Sequence, residues 1–235
     1  MVSHLIDEKS IMYQDPKTGS SPLMVAVQHR QLECVKQLLF HKACTEHVIQ
    51  LVSPITLRTV FHICAQINQD EITNELCQPK YLSTLLVLAV DLQGDTPLHI
   101  CAKVGNAYMA KRLIDYINNN SSSKYMEVTP HTTTTAYRNM TNLDGNGRVP
   151  SKSSSSPTKT SITTQQSPIM GNVDAMLLKQ NKSKYTPLHV AIYYGNFNVI
   201  QQMLSYSTPA VINAYDDQKR TSLHMAAEKG LHFLN

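Results

Sequence analysis

Apolar residues along this chain recur at fixed offsets from a short word. The word is Ser21-Pro22-Leu23-Met24, and it returns as Thr59-Val60-Phe61-His62, Thr96-Pro97-Leu98-His99, Thr186-Pro187-Leu188-His189 and Thr221-Ser222-Leu223-His224. The first residues of these words lie 38, 37, 90 and 35 positions apart, so three of the four intervals are close to one structural unit. A small residue follows the word at Ala26, Ala102 and Ala191, and a glycine follows that at Gly105 and Gly195. An apolar pair comes next: Leu38-Leu39, Leu113-Ile114 and Met203-Leu204.

Each part of the pattern has a physical reading. Ser or Thr ahead of a helix caps an orphan backbone N–H, and Pro at the first helical position has no N–H to leave unsatisfied. The word therefore predicts a helix start, with its Leu or Phe directed into the core. The small residues let two helices of a unit approach closely, and Gly105 and Gly195 end the first helix where the chain must turn. Histidines His62, His99, His189 and His224 stand at one repeated offset and are expected to hydrogen-bond near each helix start.

The word and its offsets resemble the ankyrin repeat, a helix-pair unit of about 33 residues. The resemblance implies an all-α fold, an ankyrin-repeat solenoid of paired antiparallel helices interrupted by a long disordered insertion. Residues 1–117 are expected to hold three units starting near 18, 56 and 93, and residues 118–172 the insertion. Residues 173–235 are expected to hold units four and five, the last truncated, because Asn235 lies only fourteen positions beyond Thr221.

Two regions bend the pattern. In the second unit Phe61 replaces Leu and Cys64 replaces Ala, and its second helix falls either at Glu71 to Cys77 or at the apolar Tyr81 to Val90. An elongated or doubled helical connection is expected there, and Thr45 to Arg58 is longer than an ordinary turn. The 90-residue interval contains Ser121 to Pro168, dense in Ser, Thr and Pro, a composition that buries too little apolar surface to offset ordering entropy. Its hydroxyls, with Lys152 and Lys159, suit phosphorylation. Val173 to Leu178 reads as a re-entry helix or strand-like turn.

Composition narrows the function classes. The chain has 235 residues, 21 Lys+Arg against 17 Asp+Glu, and only 16% charged residues, far from the basic balance that binding to a phosphate backbone requires. Nucleic acid is therefore not an expected partner. Five cysteines, an odd number without Cys-x-x-Cys spacing, fit a reducing compartment and a cytoplasmic location. Cys34, Cys64, Cys77 and Cys101 fall mostly in helices as small hydrophobes, whereas Cys44, near a turn, is the best candidate for exposure. The longest apolar run, Leu85 to Val90, is far short of the roughly 20 residues that cross a bilayer.

Catalysis and cofactors are not expected. The repeated histidines lie about one unit apart, with no cluster to complete a metal's coordination shell. No nucleophile elbow or phosphate loop occurs, and Asp216-Asp217 lies at an expected turn. A repeat stack instead offers a concave surface of turns and first helices that binds proteins. Candidate tip residues are Lys17, Gln93, Asp95, Lys219 and Arg220.

A narrower resemblance concerns Tyr185 to Leu204, the connection through Val211-Ile212-Asn213 to Thr221, Arg58 to His62, the expanded second helix expected in the second unit, and Gly94 to His99. These segments are similar to the cytoplasmic N-terminal ankyrin array of TRPA-type cation channels, while the Ser/Thr-rich insertion departs from it. The resemblance implies a tetrameric, calcium-permeable, nonselective cation channel opened by noxious chemicals or temperature. This stretch is then part of its cytoplasmic arm, with the pore and the electrophile-sensing cysteines beyond Asn235. The alternative is a soluble ankyrin scaffold or adaptor.

Overall fold

Every helix pair begins at one of the five words. In the computed structural model, which describes residues 7–41, 46–121 and 172–231, a short helix Glu8–Met12 (α1) precedes the first pair, Pro22–Gln28 (α2) and Leu32–Phe40 (α3). Glu46–Ile49 (α4) leads to the second pair, Val60–Ile67 (α5) and Asp70–Leu76 (α6). Thr84–Val87 (α7) leads to Pro97–Val104 (α8) and Ala107–Ser121 (α9). Asn172–Leu177 (α10), Pro187–Tyr194 (α11), Phe197–Leu204 (α12), Pro209–Ile212 (α13) and Ser222–Glu228 (α14) complete the order. Among the described residues the only β pairings are isolated bridges, Val52 to Thr59 and Tyr215 to Thr221.

First helices stack on first helices, α2 on α5 on α8 on α11 on α14, and second helices α3, α6, α9 and α12 form a parallel layer. The core lies between these layers. Leu23, Phe61, Leu98 and Leu188 are fully buried there, with Val35, Ile72, Met109, Leu113, Ile114 and Val199 facing them from the second layer. In α9 the buried Met109, Ala110, Leu113, Ile114 and Ile117 form one stripe at helical spacing.

A third element was missing from the helix-pair expectation. The short helices α4, α7, α10 and α13 each precede a turn and a word, and each buries apolar residues: Val48 and Ile49, Leu86 and Val87, Met176 and Leu177, and Val211. They fill the space between a second helix and the next turn. The second unit's ambiguity resolves accordingly: α6 is its second helix, while Tyr81 to Val90 contains only α7. Val173 to Leu178 lies in and just after the helix α10, which packs on α9 and so occupies the third unit's own place before the next turn.

The fourth unit stacks on the third as though no residues intervened. Asn196 Nδ2 donates to the carbonyls of Ala102 and Lys103 at 2.7 and 3.0 Å, and Tyr206 donates to Asp115 at 2.7 Å. Helix α9 runs through Ser121, past the expected boundary at 117, with buried Ile117 anchoring its last turns and Asn120 donating to the Tyr116 carbonyl. Most of the expected insertion, with Lys152 and Lys159, lies outside the described residues, as do Ala43 and Cys44.

The glycines that end α8 and α11 are both left-handed, Gly105 at φ +81 and Gly195 at φ +70, but their surroundings differ. A Cβ on Gly105 meets Asn196 Oδ1 at 2.9 Å, whereas a Cβ on Gly195 meets nothing within 4 Å. Gly195→Ala is expected to cost about 1 kcal/mol from backbone strain alone, and Gly105→Ala about 2–3 kcal/mol because Asn196 must also shift. Urea denaturation of the two variants checks the ranking, and equal losses count against the junction described here.

Ser222 occupies the position that Pro holds in three other units, and among the described residues its buried Oγ has no hydrogen-bond partner. Thr221 is extended, at φ −83 and ψ 167, the conformation a residue before Pro requires. Ser222→Pro is therefore expected to stabilise the chain by about 0.5–1 kcal/mol, since the first helical N–H is an orphan in any case. A fall in melting temperature sinks this expectation.

Candidate protein-interaction surface

The repeated word builds one local device four times. In Thr59/His62, Thr96/His99, Thr186/His189 and Thr221/His224 the Thr side chain serves the helix start, and the histidine Nδ1 returns to the Thr backbone N–H. Those N–H to Nδ1 distances are 3.1, 3.1, 3.4 and 3.3 Å. The ring stands where a capping box ordinarily places Glu or Gln. Because Nδ1 accepts, the proton sits on Nε2, which donates forward to the next unit: His62 to the Asp95 carbonyl and His99 to the Tyr185 carbonyl, both at 3.0 Å. Among the described residues His189 Nε2 has no partner at bonding distance, although the Arg220 carbonyl still acts on it electrostatically.

Burial pushes His62 down to about 4, against the opposing pull of the Asp95 carbonyl and of Asp91. Burial likewise lowers His99 and His189. These rings are neutral structural links. In the first unit Ser21 caps the Met24 N–H at 3.3 Å, and Met24 in the histidine position makes no such link.

Thr59, Thr96 and Thr186 are buried with their rings, and Pro22, Pro97 and Pro187 each open a helix. Leu223 departs from its expected core position, at 63% exposed, and His224 is exposed as well. Among the described residues α14 has no second helix packed on it, whereas every other word Leu or Phe is covered by one.

Turns between units carry a pattern that sequence reading passed over. Asp91, Asn181 and Asp216, each five residues before a word, accept two backbone N–H groups from their own turn at 2.9–3.1 Å. Two residues before each word the backbone is left-handed, at Gly19, Leu57, Gly94, Lys184 and Lys219. Adjacent turns are then stitched together: Lys182 N donates to the Gln93 carbonyl at 2.9 Å, and Asn181 Nδ2 donates to Asp95 at 2.7 Å. Arg58 pairs with buried Asp91 at 3.3 Å, and Arg220 pairs with Asp216 at 2.9 Å and with Glu228 at 2.8 Å.

Stitched turns and first helices of units three and four enclose a hollow of about 490 Å³. Gln93 and Asp95, two of the expected tip residues, line it together with Lys103, Lys182, Tyr193 and Tyr194. Lys17 and Lys219 are exposed on other turns, and Arg220 is held by its two acidic partners. Tyr185, also in the lining, stacks near Tyr193 with centroids 6.3 Å apart, and Tyr194 meets Tyr193 edge-on at 5.2 Å. Lys229 lies 4.3 Å from the Tyr193 centroid and Lys103 lies 5.8 Å from that of Tyr194.

The tyrosines were legible in principle. Seven and eight residues after the start of the word the other units carry Gln28-His29, Gln66-Ile67, Lys103-Val104 and Glu228-Lys229, so the aromatic pair stands out once units are aligned.

Cys64, Cys77 and Cys101 are buried thiols, and Cys34 is half-buried. Burial raises Cys64 to about 12 and pushes Cys77 and Cys101 well up, so none of these three is a thiolate at neutral pH. Among the described residues no group of three His, Cys, Asp or Glu side chains is placed to hold a metal, and no helix is long and apolar enough to cross a membrane.

Residues 166–234 match the family model for ankyrin repeats (3 copies), and residues 18–48 and 93–124 match the model for a single ankyrin repeat. Together they span more than half of the chain, which belongs to the ankyrin-repeat family. No curated protein matches it. The second unit falls outside the matched residues, yet its two helices stack in register with their neighbours. Ankyrin repeats are typically non-catalytic modules that mediate protein–protein interaction.

Proposed function

We propose that this chain is a non-catalytic protein-binding solenoid that works through the concave side of its third and fourth units. The observation that carries this reading is the exposure of Tyr193 and Tyr194, 46% and 48%, on a helix whose other face is buried. Tyrosines pairing apolar area with a hydrogen-bonding tip are enriched at protein interfaces. The test is quantitative affinity capture with the chain and its Tyr193→Ser/Tyr194→Ser variant, with Phe40→Ser as a control away from the hollow. Partners lost by the first variant and kept by the second support the reading; capture indifferent to both sinks it.

Within that function, the chain is the cytoplasmic arm of a TRPA-type channel, tetrameric through the rest of the protein and located at the cytoplasmic face of a membrane. The residue resemblance supports this. Sequencing the transcript past Asn235 separates this from a soluble scaffold. Several apolar spans of about 20 residues support the channel. A polar-faced terminal unit followed by a stop codon favours the scaffold.

A further inference from the structure

The hollow has a definite chemistry, and it is lopsided. The carboxylate that lines it and those nearby are already engaged: Asp95 accepts from Asn181, and outside the lining Asp91 accepts from Arg58 and its own turn and Glu228 from Arg220. Its amino groups are not. Lys103 and Lys229 rest only against tyrosine faces, and Lys103, Lys182 and Lys229 have no ion-pair partner among the described residues. The hydroxyls of Tyr193 and Tyr194 likewise have no hydrogen-bond partner there. Three displaceable cations thus surround an aromatic floor, an arrangement complementary to negative charge flanking an apolar group.

Resting on the interaction reading above, we propose that this hollow takes an extended acidic segment of a partner protein. A proline or aliphatic side chain of that segment packs on Tyr193 and Tyr194, and carboxylates on either side pair with Lys182 and draw Lys103 and Lys229 off the rings. The volume of about 490 Å³ suits one or two side chains. Single-stranded nucleic acid fits less well, because a chain with 21 Lys+Arg against 17 Asp+Glu lacks the basic balance that tracking a phosphate backbone requires.

The test uses the whole chain and fluorescein-labelled peptides read by fluorescence anisotropy. One probe alternates Glu pairs with Leu-Pro; a second has Lys for Glu, a third has Ser for Leu and Pro, and a fourth is an oligo(dT) strand. The first is expected to bind at least about tenfold more tightly than the second and third, and more weakly as salt rises. Tyr193→Ser/Tyr194→Ser and Lys103→Glu/Lys182→Glu are each expected to weaken it about tenfold, while Phe40→Ser leaves it unchanged. All these side chains are exposed, and a thermal melt of each variant checks that it folds. Equal binding of the Glu and Lys probes, or indifference to both double variants, overturns the proposal, as does tighter tyrosine-dependent binding of oligo(dT). A display library without charge bias separates the two levels. Neutral or basic peptides that need the concave face overturn the acidic assignment alone, and a library yielding no peptide that needs that face sinks the interaction reading too.

Discussion

Replacing His99 with alanine is expected to cost about 3 kcal/mol and to loosen the junction between units three and four. The ring is buried and bonded on both sides, to the Thr96 backbone N–H at 3.1 Å and to the Tyr185 carbonyl at 3.0 Å. Truncation leaves a cavity and a buried, unpaired Thr96 N–H, each worth about 1–3 kcal/mol. The carbonyl suffers less, because Tyr185 O also accepts from Asn181 N at 3.0 Å. His99→Met separates the contributions: it keeps volume, as Met24 does at the same offset, and is expected to cost only about 1–2 kcal/mol. Stability in a repeat stack is a sum of unit and interface contributions, so a weakened interface broadens denaturation. Urea titration of the alanine variant should therefore show a lower midpoint and a shallower slope than wild type. An alanine variant within about 0.5 kcal/mol of wild type removes His99 from the junction.

How much of this was readable beforehand depends on whether a residue acts within its own unit or through a neighbour. Capping by Thr96 and Thr186, the turns at Gly105 and Gly195 and the buried Leu98 and Leu188 are local consequences of residue type at fixed offsets, and the recurring word exposes them. Asn106 and Asn196 act across units, onto the Ala65 and Ala102 carbonyls, and nothing in their own sequence says that a carbonyl lies there. Left-handed positions were visible where glycine fills them and hidden at Leu57, Lys184 and Lys219, whose backbones are fixed by the turn around them. Leu223 failed for the converse reason, since a core position exists only when something covers it. The hollow depends on neighbours in the same way: Tyr193 and Tyr194 become a surface only beside Lys103 of the unit below and Lys229 of the one above.

Acid should unfold this protein earlier than its carboxylates alone demand. An unfolded histidine titrates near 6.5, whereas burial holds folded His62 at about 4 and also lowers His99 and His189. Between those values the unfolded chain binds more protons than the folded one, so stability rises with pH across the window and is lost as pH falls from about 6.5 towards 4. It is fully present above 6.5. His62 alone accounts for about 3 kcal/mol over the full window, with His99 and His189 acting in the same direction. Asp216 enters lower down: burial opposes its charge, but hydrogen bonds from Arg220 and Gln218 hold its carboxyl below the usual range, so its contribution disappears only in stronger acid. Melting temperatures are expected to be level between about pH 7 and 8, below the range where unfolded thiols ionise, and to fall steadily between 6.5 and 4. Glutamine serves the same capping geometry without titrating, so His62→Gln/His99→Gln should flatten that fall even if it lowers stability at neutral pH. A wild-type melting temperature unchanged between pH 7 and 4.5, or a double variant with an equally steep fall, means that the acid sensitivity does not reside in these rings.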